Sequence, residues 1–111
     1  MNRLMNDDAQ DSNPFPLKRN TSASVTVDGL DLIVADHDGQ LFAYENLCPH
    51  VGESLDPMGG SVSSDDGSLL RCQRHAAEFL SHTGECVGGP CLGESLRAVP
   101  IIVVDQTIYL D

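Results

Sequence analysis

The chain has no tryptophan, and only three phenylalanines and two tyrosines among its 111 residues. A single domain of this length has a modest core, and one built without large aromatics gains from a bound centre that ties its loops together. Basic residues are scarce as well. Six Lys and Arg face 17 Asp and Glu, a formal net charge of −11. That deficit excludes a nucleic-acid surface, which needs Lys and Arg to neutralise phosphates. It favours solubility, and a solvated acidic surface is the first reading, with docking to a basic patch on a partner the second. No apolar stretch approaches the roughly 20 residues needed to cross a bilayer, so no membrane attachment is expected. The opening segment MNRLMNDDAQDSNPFP lacks the apolar region of a secretory signal, so a soluble, cytoplasmic protein is expected; its oligomeric state is left open, with a monomer favoured.

Helical periodicity is also missing, and Gly and Pro recur too often for long helices. Short apolar runs between turn residues are what remains. Residues 24–27 precede Asp28-Gly29, residues 30–35 precede His37-Asp38-Gly39, and residues 41–45 follow. Alternation around Asp-Gly is a strong hairpin signal. Further strands are expected at 69–71, 78–81, 96–104 and 107–110, with turns at Asp65-Asp66-Gly67, Thr83-Gly84 and Asp105-Gln106. The expected fold is all-β, a small antiparallel sandwich or barrel. Residues 1–21 read as a flexible polar segment and residues 22–111 as the domain. No internal repeat is visible.

Cysteine is the informative residue, with four in the chain. In a cytoplasmic protein these read as metal ligands or thiols before disulfides. Cys48-Pro49-His50 and Cys72-Gln73-Arg74-His75 each carry one thiol and one imidazole, with 21 residues between them. Cys48, His50, Cys72 and His75 could hold one tetrahedral Zn²⁺ or a two-iron, two-sulfide cluster. Structural zinc sites more often pair like ligands, two Cys from a knuckle and two His from a helix. Here each segment gives one of each, and no helix is expected. Two loops straddling a binuclear cluster, each giving a Cys to one iron and a His to the other, account for the mixture.

On these residues the chain resembles a Rieske-type [2Fe-2S] ferredoxin. The resemblance rests on Cys48-Pro49-His50-Val51-Gly52 as a first cluster-binding box and Cys72-Gln73-Arg74-His75-Ala76-Ala77-Glu78-Phe79 as a second. Thr83-Gly84 and Gly88-Gly89-Pro90 resemble the turn and the proline-containing loop that covers the cluster. Asp38-Gly39-Gln40-Leu41-Phe42-Ala43-Tyr44 resembles the hairpin before the first box, and the gap between boxes is a few residues longer than usual. The resemblance covers about residues 22–111, with the cluster-binding part, two loops forming a subdomain, at about 46–92. It implies one cluster per chain, with Cys48 and Cys72 on the buried iron and His50 and His75 on the iron nearer solvent.

Two departures bear on the chemistry. Respiratory Rieske proteins carry an extra Cys in each box, joined as a disulfide, where this chain has Glu53 and Arg74. They also place hydroxyls beside the cluster where this chain has Ala77 and Phe79. Fewer hydrogen-bond donors imply a low potential. Cys86 and Cys91 read as two small buried thiols in preference to a disulfide. His37 and His82 are expected to be exposed, and Asp65-Asp66 to be a solvated turn. The resemblance implies a one-electron carrier, not an enzyme, shuttling from a flavin reductase to a terminal oxygenase or another redox enzyme. The alternative is a regulatory or structural small subunit, a redox sensor or a relative of nitrite reductase small subunits, whose metal centre carries no electrons.

Overall fold

The computed structural model describes residues 17–49, 52–74 and 76–111; of the expected polar tail, residues 1–16 lie outside the described residues. Strands β1 (Ser22–Val27), β2 (Leu30–His37) and β3 (Gln40–Glu45) form an antiparallel meander in the order β1-β2-β3. Both connections are two-residue turns with positive φ at each central position: Asp28 at 53° with Gly29 at 79°, and Asp38 at 53° with Gly39 at 88°. That geometry matches the right-handed twist of the flanking strands, which is why Asp-Gly suits it.

A second sheet contains β4 (Leu69–Arg71), β5 (Glu78–Leu80) and β6 (Cys86–Gly88), also antiparallel and in chain order. A closing hairpin pairs β7 (Ile101–Val104) with β8 (Thr107–Leu110). No helix occurs among the described residues, so the all-β antiparallel expectation holds. Two details differ from it. The strand expected at 96–104 begins only at Ile101, because Pro100 has no N–H to donate to a ladder. Residues before it make single contacts instead, with the Val99 N–H donating to the Ala43 carbonyl at 2.9 Å and the Glu45 N–H donating to Arg97 at 2.9 Å. Strand β6 was not expected, since a Cys-Val-Gly run of this length carries no periodic signal.

Strand β2 divides the interior. Its central residues are buried on both faces, and successive side chains of a strand point to opposite sides. Leu32 and Val34 join Val25, Val27, Ala43 and Ile108 in a core closed by Ile101, Val103 and Leu110 of the terminal hairpin. Leu17 packs against this core from outside the sheet. Ile33 and Ala35 face the other way, joining Tyr44, Leu55, Leu70, Phe79 and all four cysteines. The meander therefore carries the cysteine-bearing part on one face and the hairpin on the other.

Tyr44 fastens the two sheets. It is almost wholly buried, and its hydroxyl donates to the Ser81 carbonyl at 2.7 Å. Gly84 lies flat against its ring at φ +80°, where an added Cβ would come within 2.8 Å of Tyr44 Cε1. Burial pushes the Tyr44 phenol up to about 12. Above its ordinary value of 10.0 the unfolded chain releases this proton while the folded chain keeps it. Stability is therefore lost as pH rises from 10 toward 12. Tyr44→Phe is expected to cost about 1–2 kcal/mol at neutral pH by orphaning the Ser81 carbonyl. It should also flatten the alkaline decline, and urea unfolding of both proteins across this range checks both effects.

Candidate metal centre

Cys48 follows β3 and Cys72 follows β4, and the backbone treats the two alike. The Cys48 N–H donates to the Glu53 carbonyl at 2.6 Å, and the Cys48 carbonyl accepts from the Gly52 N–H at 2.7 Å. The Cys72 N–H donates to the Ala77 carbonyl at 2.9 Å, and the Cys72 carbonyl accepts from the Ala76 N–H at 3.1 Å. In both turns the cysteine N–H reaches five residues ahead, and its carbonyl is met from four residues ahead. The residue at that fourth place has positive φ in both, 73° at Gly52 and 55° at Ala76. Two equivalent turns thus present two cysteines. The repeat lies in hydrogen bonding, and the sequence hides it.

The turns are tied to each other. The Gln73 N–H donates to the Leu55 carbonyl at 2.9 Å. The Gln73 side chain spans the same gap, accepting from the Met58 N–H and donating to the Gly59 carbonyl, both at 2.8 Å. Buried Asn46 braces the first turn from below. Its amide donates to Asp56 at 2.8 Å, and its carbonyl oxygen accepts from the Leu55 N–H at 2.8 Å. Sequence reasoning missed Asn46, Asp56 and Gln73, although an Asn at the end of a strand and ahead of a loop is a recognisable turn-forming signal.

Cys48 and Cys72 are both buried, in one apolar cluster with Ala77 and Phe79. His50, Val51 and His75 lie outside the described residues. Arg74 Nη1 stands 3.4 Å from Glu53 Oε2, so an ion pair joins the turns at the positions where respiratory relatives have their disulfide. Both partners are about half exposed, and such a pair contributes little to stability. Arg71 pairs with Glu78 at 2.7 Å directly across β4 and β5. The fully buried side chains of Ala77 and Phe79 offer no hydroxyl to the site. Two sulfur donors on matched, cross-braced turns suit a soft metal centre, and the donor chemistry fits a [2Fe-2S] group.

Cys86 and Cys91 form a disulfide, with Cα atoms 6.0 Å apart, which corrects the expectation of two thiols. The short loop between them turns back on itself and brings the pair into bonding range, which spacing alone does not reveal. Among the remaining candidates, His82 is exposed and His37 partly so, with ring centroids 6.5 Å apart. The Asp65-Asp66 turn is solvated as expected. The Ser68 hydroxyl and N–H, then the Ser64 hydroxyl, donate to Asp66 and hold its carboxyl down at about 2.

Equivalence of the turns gives a paired expectation. Gly52 has open space around a would-be Cβ, so Gly52→Ala is opposed only by its backbone and should cost about 1–2 kcal/mol. Ala76 already bears that strain. Ala76→Gly should change stability by less than about 1 kcal/mol, as relief of strain and added freedom of the unfolded chain oppose each other. Urea unfolding of the two variants measures the contrast, and equal losses at both positions would contradict it.

The sequence profile described as the Rieske [2Fe-2S] domain matches residues 10–104. The 3-phenylpropionate/cinnamic acid dioxygenase ferredoxin subunit of Photorhabdus laumondii subsp. laumondii is 29% identical over 80 residues, covering 72% of this chain and 71% of that protein. The biphenyl dioxygenase ferredoxin subunit of Pseudomonas sp. (strain KKS102) is 30% identical over 87 residues, covering 78% of this chain and 75% of the relative. A chain in the solved complex of reduced oxygenase and oxidized ferredoxin in carbazole 1,9a-dioxygenase superposes with TM-score 0.65 at 26% identity, over 84% of this chain and 82% of that one. The matched turns, the all-β frame and these likenesses place the chain in the Rieske [2Fe-2S] domain family.

Proposed function

We propose that this protein is the ferredoxin component of a multicomponent oxygenase system, taking one electron from a flavin reductase and handing it to a terminal oxygenase. The observation that carries the reading is the pair of equivalent turns presenting Cys48 and Cys72 within a Rieske-family chain. Cys48, His50, Cys72 and His75 would hold one [2Fe-2S] cluster, with the buried cysteines on one iron and, as the family resemblance implies, the histidines on the other. When bound, the cluster supplies a one-electron couple. The surrounding residues do the rest: the Ala77 and Phe79 side chains exclude water without donating hydrogen bonds, and Gln73 and Asn46 hold the turns in register. The chain is a carrier and not a catalyst, as its ferredoxin-subunit relatives are. The reading of a purely structural or regulatory centre is not favoured by those relatives. Residues 22–111 make up the electron-carrying domain, with the cluster-binding part at about 46–92 and residues 1–21 preceding it. Among the described residues no helix is long and apolar enough to cross a membrane, and a cytoplasmic location is part of this reading.

Docking follows from the surface near the turns. Leu47, Met58, Val87 and Leu92 are exposed at 49%, 77%, 44% and 66%, and stand on segments that carry or adjoin the two turns. Arg71 and Arg74 are each matched by a carboxylate, and the chain as a whole carries a formal charge of −11. Exposed apolar side chains on a strongly acidic chain suit brief contact with an apolar, basic-rimmed partner surface.

Protein purified without oxygen is expected to show an iron–sulfur visible spectrum and a two-iron content, and to take up one electron reversibly. A colourless protein holding zinc would overturn the assignment. Cys48→Ser, Cys72→Ser, His50→Gln and His75→Gln are each expected to abolish or severely deplete bound iron. The reduction potential is expected toward the low end of the range of about −150 to +300 mV, and a value above about +200 mV would contradict the role given to Ala77 and Phe79.

A further inference from the structure

The loop closed by the Cys86–Cys91 disulfide rests on the second turn. Gly89 sits at φ +87°, and a Cβ added there would come within 2.9 Å of Ala77 Cα and 3.2 Å of the Ala76 carbonyl oxygen. Ala76 and Ala77 are the residues whose backbone groups complete the turn at Cys72. The loop is thus packed, backbone on backbone, against one of the two structures that present the metal donors. Three features fix its ends. Cys86 pairs across the sheet with Phe79, its N–H donates to the Glu94 carbonyl at 2.9 Å, and the Glu94 N–H donates to the Cys91 carbonyl at 2.9 Å. The disulfide is the covalent member of this set, and it lies in the same apolar cluster as Cys48 and Cys72.

We propose that Cys86 and Cys91 are a second redox site, a dithiol–disulfide couple whose oxidised form latches loop 87–90 over the second cluster-binding turn. This rests on the reading that Cys48, His50, Cys72 and His75 hold the cluster. The exchange is a two-electron reaction with a dithiol and is separate from the one-electron couple. A thiolate of the reagent attacks one sulfur and the disulfide bond breaks. The resulting mixed disulfide is displaced by the reagent's second thiol. Cys86 and Cys91 end as thiols carrying the two protons, and the reagent ends as a disulfide. Disulfides in a reducing compartment are more often transient than permanent. Burial sets the rate: Cys86 and Cys91 are 3% and 1% exposed, so a reagent reaches them only when the exposed loop lifts. Reduction removes the covalent closure, the loop lifts more often, and the second turn loses its cover.

The test uses the iron-loaded protein before and after treatment with dithiothreitol, beside the double variant Cys86→Ser/Cys91→Ser. Alkylation after unfolding, read by mass, should find two modified cysteines in the untreated chain and all four after treatment, matching the cysteine total. Iron transfer to a chelator should run on the order of tenfold faster in treated protein and in the double variant than in untreated protein, the scale set by restoring the entropy of a short closed loop. The reagent should add nothing to the variant's rate. The cluster potential should rise on opening the latch, since water then reaches the site and stabilises added charge. Equal chelation rates and potentials in treated and untreated protein would overturn the proposal, as would four modified cysteines in untreated protein that stay four after mild oxidation. If the double variant does not fold, the treated and untreated wild-type protein still decide. A chain that carries no iron would defeat the cluster reading instead, while the alkylation count still reports on the couple itself.

Discussion

Everything at the working end of this protein depends on backbone hydrogen bonds that bend two loops into the same shape. A cysteine that binds metal must have its sulfur aimed and its own peptide groups satisfied, because they are buried with it. Each turn satisfies those peptide groups, directing the cysteine N–H to a carbonyl five residues on and the cysteine carbonyl to an N–H four residues on. The geometry needs a left-handed residue at the fourth place. Gly52 adopts it freely, whereas Ala76 is held in it by its surroundings. Part of those surroundings is Gly89, which can approach Ala76 and Ala77 only because it has no side chain.

The frame beneath the turns is simple and was legible from sequence. Asp-Gly at 28–29 and 38–39 fixes the meander, because aspartate and glycine tolerate positive φ at both central positions of a tight turn. Less legible was which face of the meander does what. Leu32-Ile33-Val34-Ala35 reads as a uniformly apolar run, and only the structure shows that alternate residues feed separate cores. A strand buried on both sides loses the alternation that marks a half-buried one.

At the site, the sequence showed the Cys and His residues and their spacing but not the supports around Cys48 and Cys72. Asn46, Asp56 and Gln73 are ordinary polar residues until the fold brings their partners within reach across the two loops. The Cys86–Cys91 bridge was misread for a related reason. The expected compartment argued for thiols, but disulfide formation depends on how the intervening loop folds, and Gly88-Gly89-Pro90 folds it back. Equivalence of the two turns was invisible because it is written in backbone bonds between residues that share little beyond their cysteine.

Where the chain places its covalent strength follows from these supports. At Glu53 and Arg74 the turns are joined by an exposed ion pair, which salt screens and which contributes little to holding two loops together. The turns do not need more there, since Gln73 and the Leu55 carbonyl already cross the gap with directed hydrogen bonds. The loop at 87–90 is in a different position. It touches the second turn through glycine backbone, with almost no apolar side chain to bury and much unfolded-state freedom to suppress. Contacts of that kind hold only if the loop ends are fixed, and a short disulfide fixes them without placing a charge or a hydroxyl near the site. A covalent link is thus used where packing is weakest, and the apolar surroundings of Cys48 and Cys72 are left intact.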